Sequence, residues 1–364
     1  MPSRKPLVLS LIGARPQFIK IAPLAGELAK KFRHVIIHTG QHYDRMMSDI
    51  FFDQLKIPRA DYNLLVGSGR HAEMTGKIMM RLEKKLLQLR PDMMLVYGDT
   101  NSTLAGALTA VKLHIPVAHV EAGLRSYRLD MPEEVNRVLA DHISSLLFCP
   151  TIRAIQNLKK EGMTRGLVHS GDLMYELIKL YEKKIETNSS IISRLGIEKR
   201  NYILLTLHRA GNVDDREALE KGIESVGKVN IPIVFPVHPR TEKNLRKFRL
   251  IGLLNRATHI RKVPPLSYLD NLSLIRHARA VMTDSGGMQK EAIFLGTPCL
   301  TMRDETEWTE TLNQDNFLVG FSYSRIERRL NNLPILRKSL SCKLANRKPS
   351  EIISSAISRY LKVS

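Results

Sequence analysis

Residues 281–292 combine side chains and glycines that suit a phosphate. The sequence predicts a strand that ends in a tight turn, Asp284-Ser285-Gly286-Gly287, followed by a helix over residues 288–295. Such a junction directs backbone N–H groups and the positive end of a helix dipole to one point, which favours an anion. A site here would use Ser285 and the two glycines for a diphosphate, and Glu291 for sugar hydroxyls. The alternative is an ordinary turn with Asp284 or Ser285 as N-cap, and this segment alone favours neither.

Histidine and arginine follow two apolar runs in the second half of the chain. His208-Arg209 comes after residues 202–207, and His238 comes after residues 231–237. Because the carboxyl ends of parallel strands meet at one edge of a sheet, these side chains and the turn 284–287 would surround a diphosphate. The alternative is that they are solvated basic loops. A further polar wall follows residues 298–302 and consists of Arg303, Thr306 and Glu307.

Two cations lie at the start of the helix predicted after the first strand. Pro16 fits the first helical position, and Arg15 and Lys20 lie close to it. Positive charge near a helix N-terminus opposes the helix dipole, so a bound anion would resolve the conflict. The glycine-led turn after a strand favours an anion site over a solvated basic pair. Gln41 and His42 end the second strand, where they would form a polar wall.

Three carboxylates of the first half fall at neighbouring strand ends. Asp99 follows residues 93–97, Glu121 ends the strand over residues 116–121, and Glu133 lies in the first turn of a helix. Taken singly, Asp99 is typical of a helix N-cap and Glu133 of an ordinary first-turn acid, with Arg137 one turn on to pair Glu133 or Glu134. Glu121 has no such capping role. Their convergence favours acid–base chemistry.

Composition limits the class of protein. The chain has 364 residues, which exceeds the usual size of one hydrophobic core, so we expect two domains. Its net charge of +20 indicates a basic surface or anionic partners, but aromatic residues make up only 6% and scarcely interleave with the basic ones, which argues against nucleic-acid binding. No segment resembles a signal peptide or a membrane span, so we expect a cytoplasmic protein with no membrane association. Cys149, Cys299 and Cys342 lack metal-ligand spacing and are predicted to be reduced thiols, with no metal site.

Apolar runs alternate with helix-period segments along the chain, which predicts an α/β protein with parallel sheets. The runs are residues 7–13, 34–39, 93–97, 116–121, 146–149, 167–170, 202–207, 231–237, 258–263, 280–284, 298–302 and 316–319. The stretch 181–201 is charged and polar and has no strand signal. We predict an N-terminal domain over residues 1–170, a C-terminal domain over residues 171–349, and a last helix over residues 350–364 that packs back on the first domain.

In combination these motifs resemble the non-hydrolysing UDP-N-acetylglucosamine 2-epimerase family over about residues 7–320. The segments that carry the resemblance are Gly13-Ala14-Arg15-Pro16, Gly40-Gln41-His42, Gly98-Asp99-Thr100, Glu121-Ala122-Gly123-Leu124-Arg125, Pro132-Glu133-Glu134, Asn136-Arg137, His208-Arg209 and Asp284-Ser285-Gly286-Gly287. The resemblance implies a GT-B-like fold of two Rossmann-like, doubly wound domains with a cleft between them. It also implies a homodimer that binds a UDP-sugar and needs neither a metal nor a nicotinamide cofactor.

The resemblance also implies roles for single residues. It matches Asp99, Glu121, Glu133 and His208 to catalytic positions, Arg15, Arg137, Ser285, Gly286 and Gly287 to diphosphate contacts, and Glu291 to a ribose contact. Lys20, Arg209 and His238 are predicted to join the diphosphate site, and Gln41, His42, Arg303, Thr306 and Glu307 to contact the sugar. The implied reaction removes the C2 proton while UDP leaves C1, and then adds UDP back after protonation of C2 from the opposite face.

Some segments are more similar to one branch, the UDP-2,3-diacetamido-2,3-dideoxyglucuronate 2-epimerases. They include residues 96–103, Gly171-Asp172-Leu173-Met174 and Thr306-Glu307-Trp308. Gly211 departs from the family pattern His-Arg-x-Glu-Asn. The expected activity is therefore inversion at C2 of a UDP-2-acetamido sugar for glycoconjugate synthesis. The alternatives are a hydrolysing epimerase, a GT-B glycosyltransferase and a catalytically degraded nucleotide-sugar binding protein.

Overall fold

A computed structural model describes residues 4–41, 52–187, 190–313, 315–333 and 347–363. Contacts divide the chain into two compact units, Met1–Leu177 with Lys343–Ser364, and Ile178–Cys342. The boundary lies inside a helix, whereas the sequence places it at residue 170. His42 and Cys342 lie outside the described residues.

The first unit contains a parallel sheet of the strand order β3-β2-β1-β4-β5-β6-β7. From β1 the order runs outward in one direction and then resumes on the other side with β4, so the topological switch point lies between β1 and β4. The strands are β1 (Leu7–Ile12), β2 (Arg33–His38), β3 (Tyr62–Asn63), β4 (Met93–Tyr97), β5 (Val117–Val120), β6 (Leu146–Cys149) and β7 (Leu167–His169).

Helices connect these strands and cover the sheet. They are α1 (Arg15–Lys31), α2 (His71–Leu89), α3 (Asn101–Lys112), α4 (Pro132–Ile143) and α5 (Ile152–Lys160), followed by α6 (Leu173–Thr187), which continues into the second unit. The last helix, which we call α15 (Pro349–Tyr360), belongs to this unit and packs against α1. The Ser354 hydroxyl on it donates to the Glu27 carbonyl at 3.3 Å.

The second unit contains a parallel sheet of the order β10-β9-β8-β11-β12-β13, with its switch point between β8 and β11. Its strands are β8 (Ile203–Thr206), β9 (Ile233–Pro236), β10 (Ile260–Val263), β11 (Ala280–Thr283), β12 (Cys299–Thr301) and β13 (Asn316–Leu318). Its helices are α7 (Ser190–Arg194), α8 (Ala210–Val213), α9 (Arg216–Gly227), α10 (Pro239–Lys247), α11 (Ile251–Arg256), α12 (Tyr268–His277), α13 (Gly286–Phe294) and α14 (Tyr323–Asn331), with a 3-10 turn at Thr309–Asn313.

The inner strands of both sheets are buried along their whole length, which explains their continuous apolar sequences. Every residue of β1, β4 and β11 is buried. A parallel sheet that is covered on both faces selects such runs, and alternation of polar and apolar residues is lost. In the described part of the chain, no helix is long and apolar enough to cross a membrane.

The predicted α/β class with two doubly wound parallel halves is confirmed, and each predicted strand is present. Strand β3 was not predicted, because two residues carry no periodicity. The stretch 181–201, which had no strand signal, is largely helical in α6 and α7. Two predicted helix starts are wrong by one or two residues. Helix α1 begins at Arg15, so Pro16 is its second residue, and α13 begins at Gly286 rather than at Met288.

Candidate active site

The switch point of the first sheet lies between the turns that follow β1 and β4. Arg15, which is exposed, follows β1, and Asp99 follows β4. Doubly wound sheets bind ligands outside the carboxyl ends of their strands at this place, because the loops there diverge and leave a crevice. The motifs predicted to bind and react with a nucleotide sugar in this half therefore flank the switch point.

Gln17 joins the two turns and was missed by the sequence analysis. Its Oε1 accepts from the backbone N–H groups of Gly13 at 2.7 Å and Ala14 at 3.0 Å. Its Nε2 donates to the Tyr97 carbonyl and to the Thr100 hydroxyl, both at 3.0 Å. The signal in the sequence was a glutamine at the third position of a helix, the position of a capping box.

Asp99 does not cap the helix that follows it. Thr100 is the N-cap of α3, and its hydroxyl accepts from the Thr103 N–H at 3.3 Å. The capping interpretation of Asp99 is therefore wrong. Its carboxylate is instead paired with Arg137 Nη2, and the Asp99 side chain remains 34% exposed. An accessible carboxylate with one cationic partner at a switch point suits acid–base chemistry.

The two acids at the start of α4 have different surroundings. Glu134 is buried and binds the backbone N–H groups of Ser126 and Tyr127, and it also accepts from Arg137 Nη1 at 2.8 Å. Glu133 is exposed, and its carboxylate forms no hydrogen bond or ion pair with the described residues. The cation that the sequence assigned to either acid therefore pairs with Glu134, and Glu133 stays accessible.

Glu121 follows β5 in a left-handed conformation, with φ at 73°. Such a backbone is uncommon outside glycine and costs about 1 kcal/mol or more, and strained positions of this kind concentrate at functional sites. Its carboxylate forms an ion pair with Lys20 of α1, and the two side chains are only 11% and 7% exposed. Both line a small pocket with Pro150, Gly171 and Asp172.

The pairing with Glu121 changes the interpretation of Lys20. The sequence predicts that an external anion offsets its charge near the helix start, whereas in the structure a carboxylate of the same unit does so. A Cβ atom built at Gly98 would lie 2.9 Å from Lys20 Nζ and 3.4 Å from Glu121 Oε2. The ion pair thus lies directly against the backbone that carries Asp99, and the three groups share one site.

Gln41 also lies at this edge. Its Oε1 accepts from the Ser102 hydroxyl at 2.7 Å, and the same hydroxyl lies 2.9 Å from Thr39 Oγ1. These bonds hold the turn after β2 beside the start of α3. Its predicted neighbour in the sugar site, His42, is outside the described residues.

Asp284 organises the switch point of the second sheet, whereas the sequence analysis considered it only as a capping candidate. It is 1% exposed, and its carboxylate accepts from the backbone N–H groups of His208 at 3.1 Å and Arg209 at 3.0 Å. It also accepts from Asn212 Nδ2 at 3.1 Å. One buried carboxylate therefore fixes the turn after β8 from its place after β11.

The two histidines after β8 and β9 lie side by side. The ring centroids of His208 and His238 are 5.4 Å apart, and the His208 side chain is 40% exposed. His238 is the N-cap of α10, where its Nδ1 accepts from the Arg240 N–H at 3.2 Å. The structure thus brings together the cationic turns that the sequence analysis expected to meet.

Ser285 is the N-cap of α13, and its hydroxyl accepts from the Met288 N–H at 3.4 Å. Gly286 and Gly287 therefore form the first turn of the helix rather than a tight turn before it. A Cβ at Gly286 would lie 2.3 Å from Glu307 Oε1, so a larger residue there would displace the end of the Glu307 side chain. Glu291 lies further along the same helix and is 4% exposed.

The polar wall after β12 packs against this helix start. Arg303 Nη2 lies 2.9 Å from Glu307 Oε2, and the Thr306 hydroxyl donates to Gln289 Oε1 at 2.7 Å. Lys290 Nζ lies 3.8 Å from the centroid of the Trp308 ring. Arg303 and Thr306 are largely buried in this wall.

Each unit is thus a doubly wound parallel sheet with charged and polar side chains at its switch point, which is the architecture of nucleotide-binding α/β enzymes. The model of the UDP-N-acetylglucosamine 2-epimerase family matches residues 26–349. The chain belongs to the UDP-N-acetylglucosamine 2-epimerase family, whose members are isomerases.

Individual relatives agree with this assignment. The chain is 50% identical to a UDP-N-acetylglucosamine 2-epimerase homolog of Methanococcus maripaludis, over 88% of this chain and 90% of the relative. It is 45% identical to the UDP-2,3-diacetamido-2,3-dideoxy-D-glucuronate 2-epimerase of Pseudomonas aeruginosa, over 86% of this chain and 88% of that protein. The crystal structure of Methanocaldococcus jannaschii UDP-GlcNAc 2-epimerase in complex with UDP-GlcNAc and UDP matches with a TM-score of 0.90 and 41% identity, over 97% of this chain and 99% of that one.

Proposed function

We propose that this protein is a non-hydrolysing epimerase that inverts C2 of a UDP-2-acetamido sugar by elimination and re-addition of UDP. The observation that carries the proposal is the set of carboxylates at the first switch point, where Asp99 and Glu121 each have a cationic partner and adjoin the same Gly98 turn. A reaction that removes and restores a proton at carbon needs groups of this kind held in place.

The proposed reaction balances without a cofactor. A base takes the C2 proton while the C1–O bond breaks and UDP leaves with its electron pair, which produces a 2-acetamidoglucal. A proton is then delivered to the opposite face of C2, and the UDP oxygen adds back to C1. Asp99, Glu121 and Glu133 are the candidate acids and bases on the first unit, with His208 on the second.

The second unit supplies the proposed diphosphate clamp. The N-terminus of α13, with Ser285 as N-cap, offers backbone N–H groups and the positive end of a helix dipole. Arg209 and His238 add positive charge or hydrogen-bond donors at the neighbouring strand ends of the same unit. On the first unit, Arg15 and Arg137 are the residues that the resemblance assigns to the diphosphate. Such a clamp holds the leaving UDP near the glucal, which makes re-addition faster than escape.

Two substrates follow from the relatives, UDP-GlcNAc and UDP-2,3-diacetamido-2,3-dideoxyglucuronate. The deciding experiment is proton NMR of the purified protein in D2O, with the two substrates in separate tubes. We expect loss of the H2 signal and growth of the manno-configured UDP-sugar in one tube. Accumulation of free UDP with the 2-epimer would indicate a hydrolysing enzyme, and absence of exchange in both tubes would overturn the proposal.

The variants Asp99→Asn and Glu121→Gln test the assignment of the carboxylates. We expect both to fold and to lose at least about 10²-fold in kcat, because each removes a proton-transfer group. The matched control is Asp130→Asn, an exposed carboxylate of the same unit that pairs with Arg128. Unchanged turnover in both site variants would refute the assignment.

We also propose a homodimer that acts in the cytoplasm, as the resemblance implies. Sedimentation equilibrium at micromolar concentration tests the dimer, which should have twice the chain mass of 41.4 kDa. A monomer that retains full turnover would contradict this part of the proposal.

A further inference from the structure

A buried histidine connects the two turns that carry Asp99 and Glu121. His119 lies in β5 and is fully buried. Its Nδ1 lies 2.6 Å from Asp141 Oδ1 on α4, and its Nε2 lies 2.7 Å from the carbonyl oxygen of Gly98. Both distances are those of strong hydrogen bonds.

Donor and acceptor chemistry fixes the proton count of this ring. A backbone carbonyl only accepts, so Nε2 must donate to Gly98. The Asp141 carboxylate already accepts from Arg125 Nη1 at 2.6 Å and from the Gly123 N–H at 3.1 Å. Burial opposes the ionisation of Asp141, but the charges and hydrogen bonds of His119 and Arg125 hold its pKa below the usual range. Nδ1 must therefore donate as well, and a ring with two donors is an imidazolium.

The surrounding charges permit an imidazolium in this position. Arg125 and His119 carry two positive charges, and Asp141 and Glu161 carry two negative ones, with Arg125 Nε 2.7 Å from Glu161 Oε1. Other titratable groups near this cluster are His142, 3.8 Å from Glu161, the Lys20–Glu121 ion pair beside Gly98, and the buried Cys149, whose pKa burial raises to about 12. The buried cluster is therefore neutral as a whole, which is the condition under which charged groups are retained in an interior.

Hydrogen bonds from this cluster hold the backbone close to both proposed reactive carboxylates. Gly98 directly precedes Asp99, while His119 and Gly123 bracket Glu121. Gly98, Glu121 and Gly123 have φ values of 63°, 73° and 81°, and only Glu121 is a strained left-handed position, because glycine adopts this region freely. Asp141 binds the Gly123 N–H directly and Gly98 through His119, so one carboxylate on α4 fixes backbone positions beside Asp99 and Glu121.

We propose that His119, kept as an imidazolium by Asp141, is a positioning residue that sets the relative placement of the Asp99 and Glu121 carboxylates. This role rests on the proposed function, since it serves the epimerase reaction. His119 does not contact the substrate in this role. It acts through the Gly98 carbonyl and through the carboxylate that binds Gly123.

The charge of the ring is tested without substrate. In protein labelled with ¹⁵N-histidine, we expect one ring at pH 7 with protons on both nitrogens, each engaged in a hydrogen bond. His34 of the same sheet is an internal reference, because burial lowers its pKa to about 4 and its Nε2 pairs with the Ser10 hydroxyl, which can donate or accept. A His119 ring with one unprotonated nitrogen at pH 7 would overturn the proposal.

The positioning role is tested with His119→Gln, whose single amide group cannot donate to both acceptors as the ring does, and with His34→Gln as matched control. We expect kcat of His119→Gln to fall about 10²-fold with KM changed less than about threefold, because a shift of about 1 Å in catalytic groups has this effect. Hydrogen exchange of the Gly98, Glu121 and Gly123 amides should accelerate at least tenfold in this variant and remain unchanged in the control. Kinetics and exchange equal to those of His34→Gln would refute the role.

The two proposals fail in different ways. Absence of turnover in the wild-type protein would refute the proposed function. The NMR results would still decide the charge of His119, and the exchange results would still decide whether it stabilises the neighbouring backbone. If His119→Gln does not fold, Asp141→Asn provides the second variant, and we expect loss of the doubly protonated ring signal. Persistence of that signal in Asp141→Asn would overturn the assignment of Asp141 as its partner.

Discussion

Replacement of Asp284 by asparagine tests how the second unit holds its cationic turn. The carboxylate accepts three hydrogen bonds, from the backbone of His208 and Arg209 and from the Asn212 side chain, at 3.0 to 3.1 Å. Asparagine can place its carbonyl oxygen where Oδ2 accepts from all three donors, but that oxygen carries no full negative charge. Its NH2 group then replaces Oδ1 and faces the His208 N–H, with which it cannot bond. At least one bond to a charged acceptor is therefore lost.

The magnitude follows from that count. A hydrogen bond to a charged group contributes about 1.5–3 kcal/mol. A loss of about 2–3 kcal/mol in local stability corresponds to a roughly 30- to 150-fold larger population of the open turn. The His208 and Arg209 amides should exchange with solvent faster by that factor, as measured by hydrogen–deuterium exchange and mass spectrometry. The affinity for UDP, measured by calorimetry, should fall at least tenfold, because Arg209 belongs to the proposed diphosphate clamp.

The matched control is Asp304→Asn, an exposed carboxylate that follows β12 at the same edge of the sheet. It should leave both the exchange rates and the affinity for UDP unchanged. Protection of the His208 and Arg209 amides at wild-type level in Asp284→Asn, together with unchanged affinity for UDP, would refute the reasoning about the buried carboxylate.

Three further predictions concern other positions. Gly98→Ala should lower stability by about 1 kcal/mol in thermal melting, because the backbone at this position is left-handed. It should also reduce kcat, because the new methyl group would lie 2.9 Å from Lys20 Nζ. Gly211→Glu should fold with equal or slightly higher stability, up to about 1 kcal/mol in a urea titration, because no described atom lies within 4 Å of its Cβ; a loss would contradict the open space. Glu176 accepts from the Ser350 N–H and hydroxyl, and burial raises the pKa of its carboxyl group. The wild-type protein should therefore lose stability as pH rises from below the usual glutamate range through that raised pKa. In melting curves recorded from pH 4 to pH 8, the Glu176→Gln variant should not show this loss of stability.

The strand ends and their chemistry were readable from the sequence. Continuous apolar runs such as residues 93–97 identify strands that are buried on both faces, and a polar residue directly after such a run lies at the carboxyl edge of a parallel sheet. This rule alone identifies Asp99, Glu121, His208 and Ser285. Their roles in the reaction remain predictions.

The partners of those residues were not readable. Asp99 and Thr100 are both good N-caps, and only the fold decides that Thr100 caps α3 while Asp99 turns to Arg137. Glu133 and Glu134 are adjacent acids in one helical turn, and the face that the sheet buries selects Glu134 for Arg137. Local patterns are equal for both members of each pair, so packing makes the choice.

The sequence by itself determined two doubly wound parallel sheets and the edge at which each places its charged residues, because hydrophobic periodicity and turn chemistry act over a few neighbouring residues. Only the tertiary structure decided three features. They are the ion pair between Lys20 and Glu121, the hydrogen bonds between Asp284 and the turn after β8, and the two hydrogen bonds of the His119 ring. Each of these joins residues from different strands or helices, some more than 70 positions apart. Such contacts arise from the order of strands in the sheet, which no local pattern encodes.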